Sequence, residues 1–426
     1  MILYQGEIFP NEKQMEKISH LKEDCYETLN TKPLLKPMEV ILACDKLVKQ
    51  VRDNRYDDII MPLLDAFDIP YDYFLQSLPM FEKESLIKKC ERELGKDFND
   101  LEDLDHTYQR KLYPLGILFH IAAGNVDVLP AYSVIEGLLV GNINILKLPS
   151  GDQGLSVKLL SELIKIEPKL KPYIYVFDVP STEVETLKIF ADISDAIIVW
   201  GGDVAVKAAR QMASVTTKII EWGHKLSFAY ATKDVSDQEL IDLAHHIMMT
   251  NQVLCSSCQG IYLDTSDRAE LDLFAKRFFD IFVSIAKSHS EVSLGMRAKN
   301  TLEIYTEKME QHQTNKLILD HQGMSVIASD DQTLELSMLF RNVWVKRLPR
   351  EEIIKVIKPH KNHLQTAALM CSDKDRSELS DLLAKAGIVR IRKPKDMSGV
   401  SVGEAHDGMY ALSLYSRIVE TYKEQK

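Results

Sequence analysis

Cysteine is scarce and scattered in this chain of 426 residues: Cys25, Cys44, Cys90, Cys255, Cys258 and Cys371, with one close pair. That spacing is not the framework of a disulfide-stapled domain, and it fits a reducing, cytoplasmic setting. No run of about 18 apolar residues occurs, and the opening MILYQGEIFPNEKQ has neither the basic leader nor the apolar stretch of a signal peptide. Neither secretion nor membrane spanning is expected. Cationic side chains are the minority, 52 Lys and Arg against 63 Asp and Glu, and the resulting net charge of −11 repels a phosphate backbone. Nucleic acid is therefore not an expected partner, although a helix N-terminus with one lysine can still hold a small phosphate. A Gly-x-Gly-x-x-Gly fingerprint is missing too: VWGGDVAV, with Gly201 and Gly202, marks only a tight βα turn that permits close backbone approach.

What is present is a globular chain long enough for two or three domains, with 45% hydrophobic and 27% charged residues. The first hundred residues read as a helical lead-in, with apolar residues at helical spacing over Met38 to Leu47 and Ile59 to Phe67, and Lys and Glu dense over Glu82 to Leu94. Around Tyr113 the texture changes to short apolar runs punctuated by Gly and Pro, as buried strands feeding loops require. Strands at Ile143 to Leu148, Ile174 to Val179 and Ala196 to Trp200 alternate with helices at Leu155 to Ile164 and Val204 to Met212, the rhythm of a doubly wound parallel sheet. Further strands are expected at Lys218 to Glu221 and Leu226 to Ala231. Ser236 and Glu239 form a capping box for a helix over Asp237 to Met249. A second α/β rhythm follows, including a helix over Ser377 to Ala386 that stops at Gly387. The expected organisation is a helical segment over 1–105, a first α/β domain over 106–250, a second over 251–395, and a C-terminal segment over 396–426 that serves oligomerisation or returns to the first domain.

Cys255, in NQVLCSSCQG, carries the strongest chemical signal: it follows a helix, precedes a strand and is flanked by Gln252, Ser256 and Ser257. A cysteine in a reducing compartment is most often a small buried hydrophobe, but these small polar neighbours suit a nucleophile. Cys255 and Cys258 also make a CxxC, readable as a redox pair or half a zinc site. Zinc lacks its other ligands, since the rings of the adjacent His245 and His246 diverge by about 100° on a helix, and no metal is expected. Glu221 ends an apolar strand, Asn125 follows another and could donate to an oxyanion, and Lys147 ends a third where a phosphate could meet it. Each alone is readable as a solvated strand end or turn residue.

Taken in chain order, Asn125, Lys147, Gly201, Glu221 and Cys255 resemble the aldehyde dehydrogenase superfamily, and the stretches EWGHK, KLPSGD, CSS after NQ and AHDGMYALSLYSRIVE are similar to its LuxC-type fatty acyl-CoA reductases. The resemblance covers roughly residues 105 to 415. It implies two Rossmann-related α/β domains, one for a nicotinamide cofactor and one for the cysteine. It also implies that a fatty acyl thioester is reduced to an aldehyde through a Cys255 acyl-enzyme, with Asn125 at the oxyanion and Glu221 in proton transfer. Lys147, Ser150, Gly201 and Gly202 fall at the cofactor. Ser150 stands where NAD-preferring relatives often carry Glu, so NADPH is expected ahead of NADH. The Glu-Phe-Gly-Pro stretch that grips the nicotinamide ribose in many relatives is absent, and LFRNVWVKRL occupies about that place. Expected partners are acyl-CoA or an acylated protein, and a second copy of the chain. Two alternatives stay open: an oxidative NAD(P)-dependent aldehyde dehydrogenase, and a thiol redox or binding protein built on Cys255 and Cys258.

Overall fold

The computed structural model describes residues 1–66, 74–75, 78–96, 98, 100, 102–122, 128–149, 152, 154–399 and 403–423. Asn125, Ser150 and Phe67 lie outside them. The chain forms two compact units, Met1–Gly223 with Ser401–Lys426, and His224–Val400.

In the first unit, β1 (Ile2–Tyr4) and β2 (Glu7–Phe9) form a hairpin, and a short β3 (Glu102–Asp103) pairs with β4 (Tyr108–Pro114). The apolar runs then become β5 (Ile117–Ile121), β6 (Ile143–Lys147), β7 (Ile174–Phe177), β8 (Ala196–Trp200) and β9 (Lys218–Trp222). β6, β7 and β8 are buried along their whole length, as near-continuous hydrophobic strands covered on both faces must be. The sheet order is β2-β1-β7-β6-β5-β8-β9, with the five strands from β7 to β9 parallel. Chain direction around the sheet reverses between β5 and β8, and the carboxyl ends at such a switch point are where doubly wound sheets hold ligands. The lead-in is helical over Gln14–Thr31, Pro37–Arg52, Asp57–Ala66 and Lys83–Leu94. It is not helical throughout, because Leu3 pairs antiparallel with Val176 and the hairpin extends this sheet. On the helical side, Lys89 is buried with its Nζ 2.5 Å from Glu93 and 2.9 Å from Glu136.

The second unit holds β10 (Leu226–Ala231), β11 (Cys258–Leu263), β12 (Leu317–His321), β13 (Met324–Ser329), β14 (Asn342–Arg347), β15 (Leu364–Met370) and β16 (Arg390–Arg392). Their order is β12-β13-β14-β11-β10-β15-β16, all parallel but β12. The expected capping box of Ser236 and Glu239 opens the helix Asp237–Thr250, and Gly387 closes the helix Asp373–Ala386 at φ 116°. The units divide at Gly223, earlier than the expected boundary at 250, because β10 pairs with β11 and β15 and belongs to the second sheet. The chain then returns to the first unit, where β17 (Ser416–Tyr422) pairs with β4 along its whole length. Leu412 N–H donates to Glu93 Oε2 at 2.7 Å, tying this segment to the buried Lys89 cluster. Among the described residues no helix is long and apolar enough to cross a membrane.

Gly260 lies in register with Trp344 on β14, and a Cβ added there would overlap the indole ring. Gly260→Ala is expected to cost about 1–3 kcal/mol by overpacking. Calorimetry would read this as a melting temperature lowered by several degrees.

Candidate active site

The first unit brings Lys147, Gly201, Gly202 and Glu221 to one edge of its sheet. Lys147 pairs in register with Ile121, Ile121 with Val199, and Val199 with Glu221, so one row crosses four parallel strands. Three strand spacings put the lysine and the glutamate roughly 14 Å apart at the backbone. Lys147 is buried and its Nζ donates to Ser181 Oγ at 3.0 Å, beyond the end of neighbouring β7. Burial pushes its pKa down, opposed by Asp178. Gly201 N–H donates to Trp222 O at 3.2 Å, and Gly202 caps the helix Asp203–Met212 with open space where a side chain would stand. The Glu221 carboxylate takes both donors of Arg210, Nε at 2.5 Å and Nη2 at 2.8 Å. Beside it the Trp200 and Trp222 rings stack at 5.3 Å, and His406, from AHDGMY, sits 5.2 Å from each.

The second unit presents Cys255. The helix Asp237–Thr250 ends with Asn251 and Gln252 both left-handed, at φ 44° and 64°, which turns the chain back towards the sheet. A tight turn follows, Ser257 N–H donating to Leu254 O at 2.9 Å and Leu254 N–H to Ser257 Oγ at 3.1 Å, with Cys255 at its corner. All six cysteines are free thiols, and Cys255 alone among them is exposed. Cys258 already belongs to β11, where it is fully buried and burial pushes its thiol up to about 12. A thiol so held is a poor redox partner at neutral pH.

Cys255 precedes β11, so it stands at the amino edge of its sheet, not at the carboxyl edge where sheets of this class hold nucleotides. The amino ends of four parallel strands meet there and supply groups that sequence alone left unmarked. Ser227 sits where the pairing of β10 shifts register with both neighbours. Its hydroxyl donates to Cys255 O at 2.7 Å and accepts from Thr366 N–H at 3.1 Å. Gln365, the second residue of β15, is 2% exposed and its Nε2 lies 3.4 Å from Cys255 Sγ. Arg390, the first residue of β16, donates to Gln365 Oε1 at 2.9 Å. A polar residue opening an otherwise apolar strand, as in LQTAALM, was the available signal.

Behind the turn, Gln252 is buried and bonded at both ends of its amide. Nε2 donates towards Cys258 O at 3.1 Å and Asn342 O at 2.9 Å, and Oε1 accepts Arg341 N–H at 2.9 Å and Asn342 N–H at 3.0 Å. The segment so braced, Leu339, Phe340 and Arg341, runs left-handed for three residues, at φ 62°, 45° and 74°. Such conformations cost roughly 1–3 kcal/mol each and persist only where their surroundings enforce them. His245 and His246 do diverge: His245 Nδ1 meets His289 at 2.9 Å, while His246 Nε2 accepts Cys258 N–H at 3.3 Å. Among the described residues no group of His, Cys, Asp or Glu is arranged to hold a metal ion.

His246 accepts that N–H only when neutral with its proton on Nδ1, and burial pushes its pKa down to about 4. The unfolded chain therefore binds the proton first, so this contribution to stability is complete above about pH 6.5 and is lost as pH falls towards 4. The shift corresponds to about 3 kcal/mol. Urea unfolding at a series of pH values should show His246→Gln losing less stability between pH 6.5 and 4 than the unsubstituted chain.

Residues 36–418 match the family described as acyl-CoA reductase (LuxC). The long-chain acyl-protein thioester reductase of Aliivibrio fischeri is 27% identical over 337 residues, which cover 76% of this chain and 68% of that one. The long-chain acyl-protein thioester reductase 2 of Photobacterium leiognathi is 25% identical over 311 residues, covering 71% and 63%. The chain thus spans about two thirds of the length of these relatives. Among solved structures, methylmalonate-semialdehyde dehydrogenase from Oceanimonas doudoroffii superposes with a TM-score of 0.69 at 13% identity, covering 100% of this chain and 95% of that one. Glyceraldehyde-3-phosphate dehydrogenase from Methanocaldococcus jannaschii, complexed with NADP, superposes at 0.67 and 14%, covering 98% and 96%. The chain therefore has the aldehyde dehydrogenase fold, and it belongs to the acyl-CoA reductase (LuxC) family.

Proposed function

We propose that the protein reduces a long-chain acyl thioester, carried on coenzyme A or on an acylated protein, to the free aldehyde through an acyl-enzyme on Cys255. The observation that carries this reading is the exposed Cys255 at the corner of a braced turn, its sulfur facing an amide donor. As thiolate, Cys255 adds to the thioester carbonyl carbon. The bond from that carbon to the carrier sulfur breaks, the carrier thiol takes up a proton, and one thioester has been exchanged for another at little cost. The Asn125 amide and the Cys255 N–H are the proposed oxyanion donors, each worth about 3–4 kcal/mol when well placed.

When bound, NADPH supplies the hydride that converts the acyl carbonyl to a thiohemiacetal oxyanion. Collapse of that adduct releases the aldehyde and restores the thiolate of Cys255. The residues present fit a dinucleotide: Lys147 is an amine held at a strand end, its Nζ on Ser181 Oγ, and the open space at Gly202 admits close backbone approach. The absence of a carboxylate at Ser150 favours NADPH over NADH. Glu221 is the proposed proton carrier. Each of its oxygens accepts one Arg210 donor and keeps a lone pair for a proton, while the guanidinium pairing lowers its basicity and so works against activation of a water.

Intact mass after mixing the protein with a long-chain acyl-CoA should show one acyl adduct, absent in Cys255→Ala and discharged as aldehyde when NADPH is added. No adduct across several chain lengths and no adduct from an acylated carrier protein would remove the reading, and steady oxidation of aldehyde to acid would replace it with the oxidative one. Gly202→Ala adds a methyl that meets nothing within 4 Å, so its melting temperature should match that of the unsubstituted chain. Its Kd for NADPH, measured by fluorescence titration, should rise several-fold.

A further inference from the structure

We infer that Gln365 is a catalytic residue whose amide N–H stabilises the Cys255 thiolate, and that Arg390 is the positioning residue that fixes which end of the amide faces the sulfur. The inference rests on Cys255 being the nucleophile. A glutamine amide has a donor end and an acceptor end of nearly equal shape, and only the donor end favours a negative sulfur. Here the choice is made by Arg390. A guanidinium has donors only, so the amide atom it meets at 2.9 Å must be the oxygen, which turns the nitrogen to Cys255 Sγ at 3.4 Å. Thr366 Oγ1 also reaches that oxygen, at 3.4 Å, and takes a second donor of Arg390, Nε, at 3.0 Å. The guanidinium is thereby held by two adjacent residues of β15.

The result is a relay from a fixed positive charge, through a polarised amide, to the reacting sulfur. Hydrogen bonds to a charged acceptor are the strong ones, and a cation at the far end of the amide strengthens the near one. Burial of Gln365 keeps water from competing for the amide. The placement follows from topology: β10 lies between β11 and β15, and the Ser227 hydroxyl bridges Cys255 O to Thr366 N–H. That bridge holds the cysteine turn against the start of β15, so turn and amide keep a fixed separation.

The test is the pH dependence of Cys255 alkylation by iodoacetamide in the full chain, with Cys255→Ala as the blank and intact mass counting the sites. Gln365→Met keeps the side-chain volume and removes the donor. Its midpoint should rise by about one pH unit, with alkylation about tenfold slower at neutral pH. Gln365→Glu, which places a carboxylate against the thiolate, should move further in the same direction, and Arg390→Met should move part of the way. A midpoint for folded Gln365→Met equal to that of the unsubstituted chain overturns the inference. If Gln365→Met does not fold, the decision falls to Gln365→Glu and Arg390→Met, and unchanged midpoints there overturn it equally. Alkylation reads the thiol with no acyl donor present. Failure of the acyl-transfer reading, seen as no acyl adduct, is therefore distinguishable from failure of this one, seen as an unmoved midpoint.

Discussion

The second unit is organised around one side-chain amide. Gln252 is buried, and the four bonds to Cys258, Arg341 and Asn342 connect the cysteine turn to the start of β14. A buried amide left half-bonded costs about 1–3 kcal/mol, so these partners hold one another in place cooperatively. The same amide oxygen collects the N–H groups of a chain segment that is left-handed over three non-glycine residues, a conformation the local sequence would not select. The turn carrying Cys255 is therefore braced from behind by Gln252.

The two halves of the proposed reaction draw on opposite edges of similar sheets. In the first unit Lys147 and Glu221 lie at the carboxyl ends of β6 and β9 and the glycine turn follows β8, the edge proposed to hold the dinucleotide. In the second unit the cysteine precedes its strand. Amino ends of parallel strands present free N–H groups, and Gln365 and Arg390 at those ends add side-chain donors beside Cys255. In the proposed reaction, the nucleophile and the dinucleotide draw on different edges of their sheets.

Much of this was legible from the chain. Apolar runs of four to six residues gave the central strands almost to the residue, since strands buried on both faces are predominantly apolar, and the capping box at Ser236 and the stop at Gly387 are local chemistry. The hairpin of β1 and β2 was missed because three-residue strands have no periodicity and their partner β7 lies far along the chain. Gln365 and Arg390 were missed for a related reason. Each is a polar residue at a strand start, and only the pairing of β15 with β10 and β16 reveals what it faces. Cys255 was marked as a candidate by its small polar neighbours and Glu221 by its place at a strand end, whereas the Arg210 clamp on Glu221 comes from a neighbouring helix.

The return of the chain to its first unit bears on the order in which the protein assembles. The second unit is continuous, and its sheet is complete once β16 has been made. The first unit is not: β4 waits for β17, and Glu93, buried beside Lys89, waits for the Leu412 N–H. Units of this size fold as modules, so during synthesis the interrupted unit holds an unfinished strand edge and an incompletely satisfied buried carboxylate while the inserted one closes. The interrupted unit is then the one exposed to mispairing and capture by chaperones, and the last strand acts as the latch that ends its vulnerable interval.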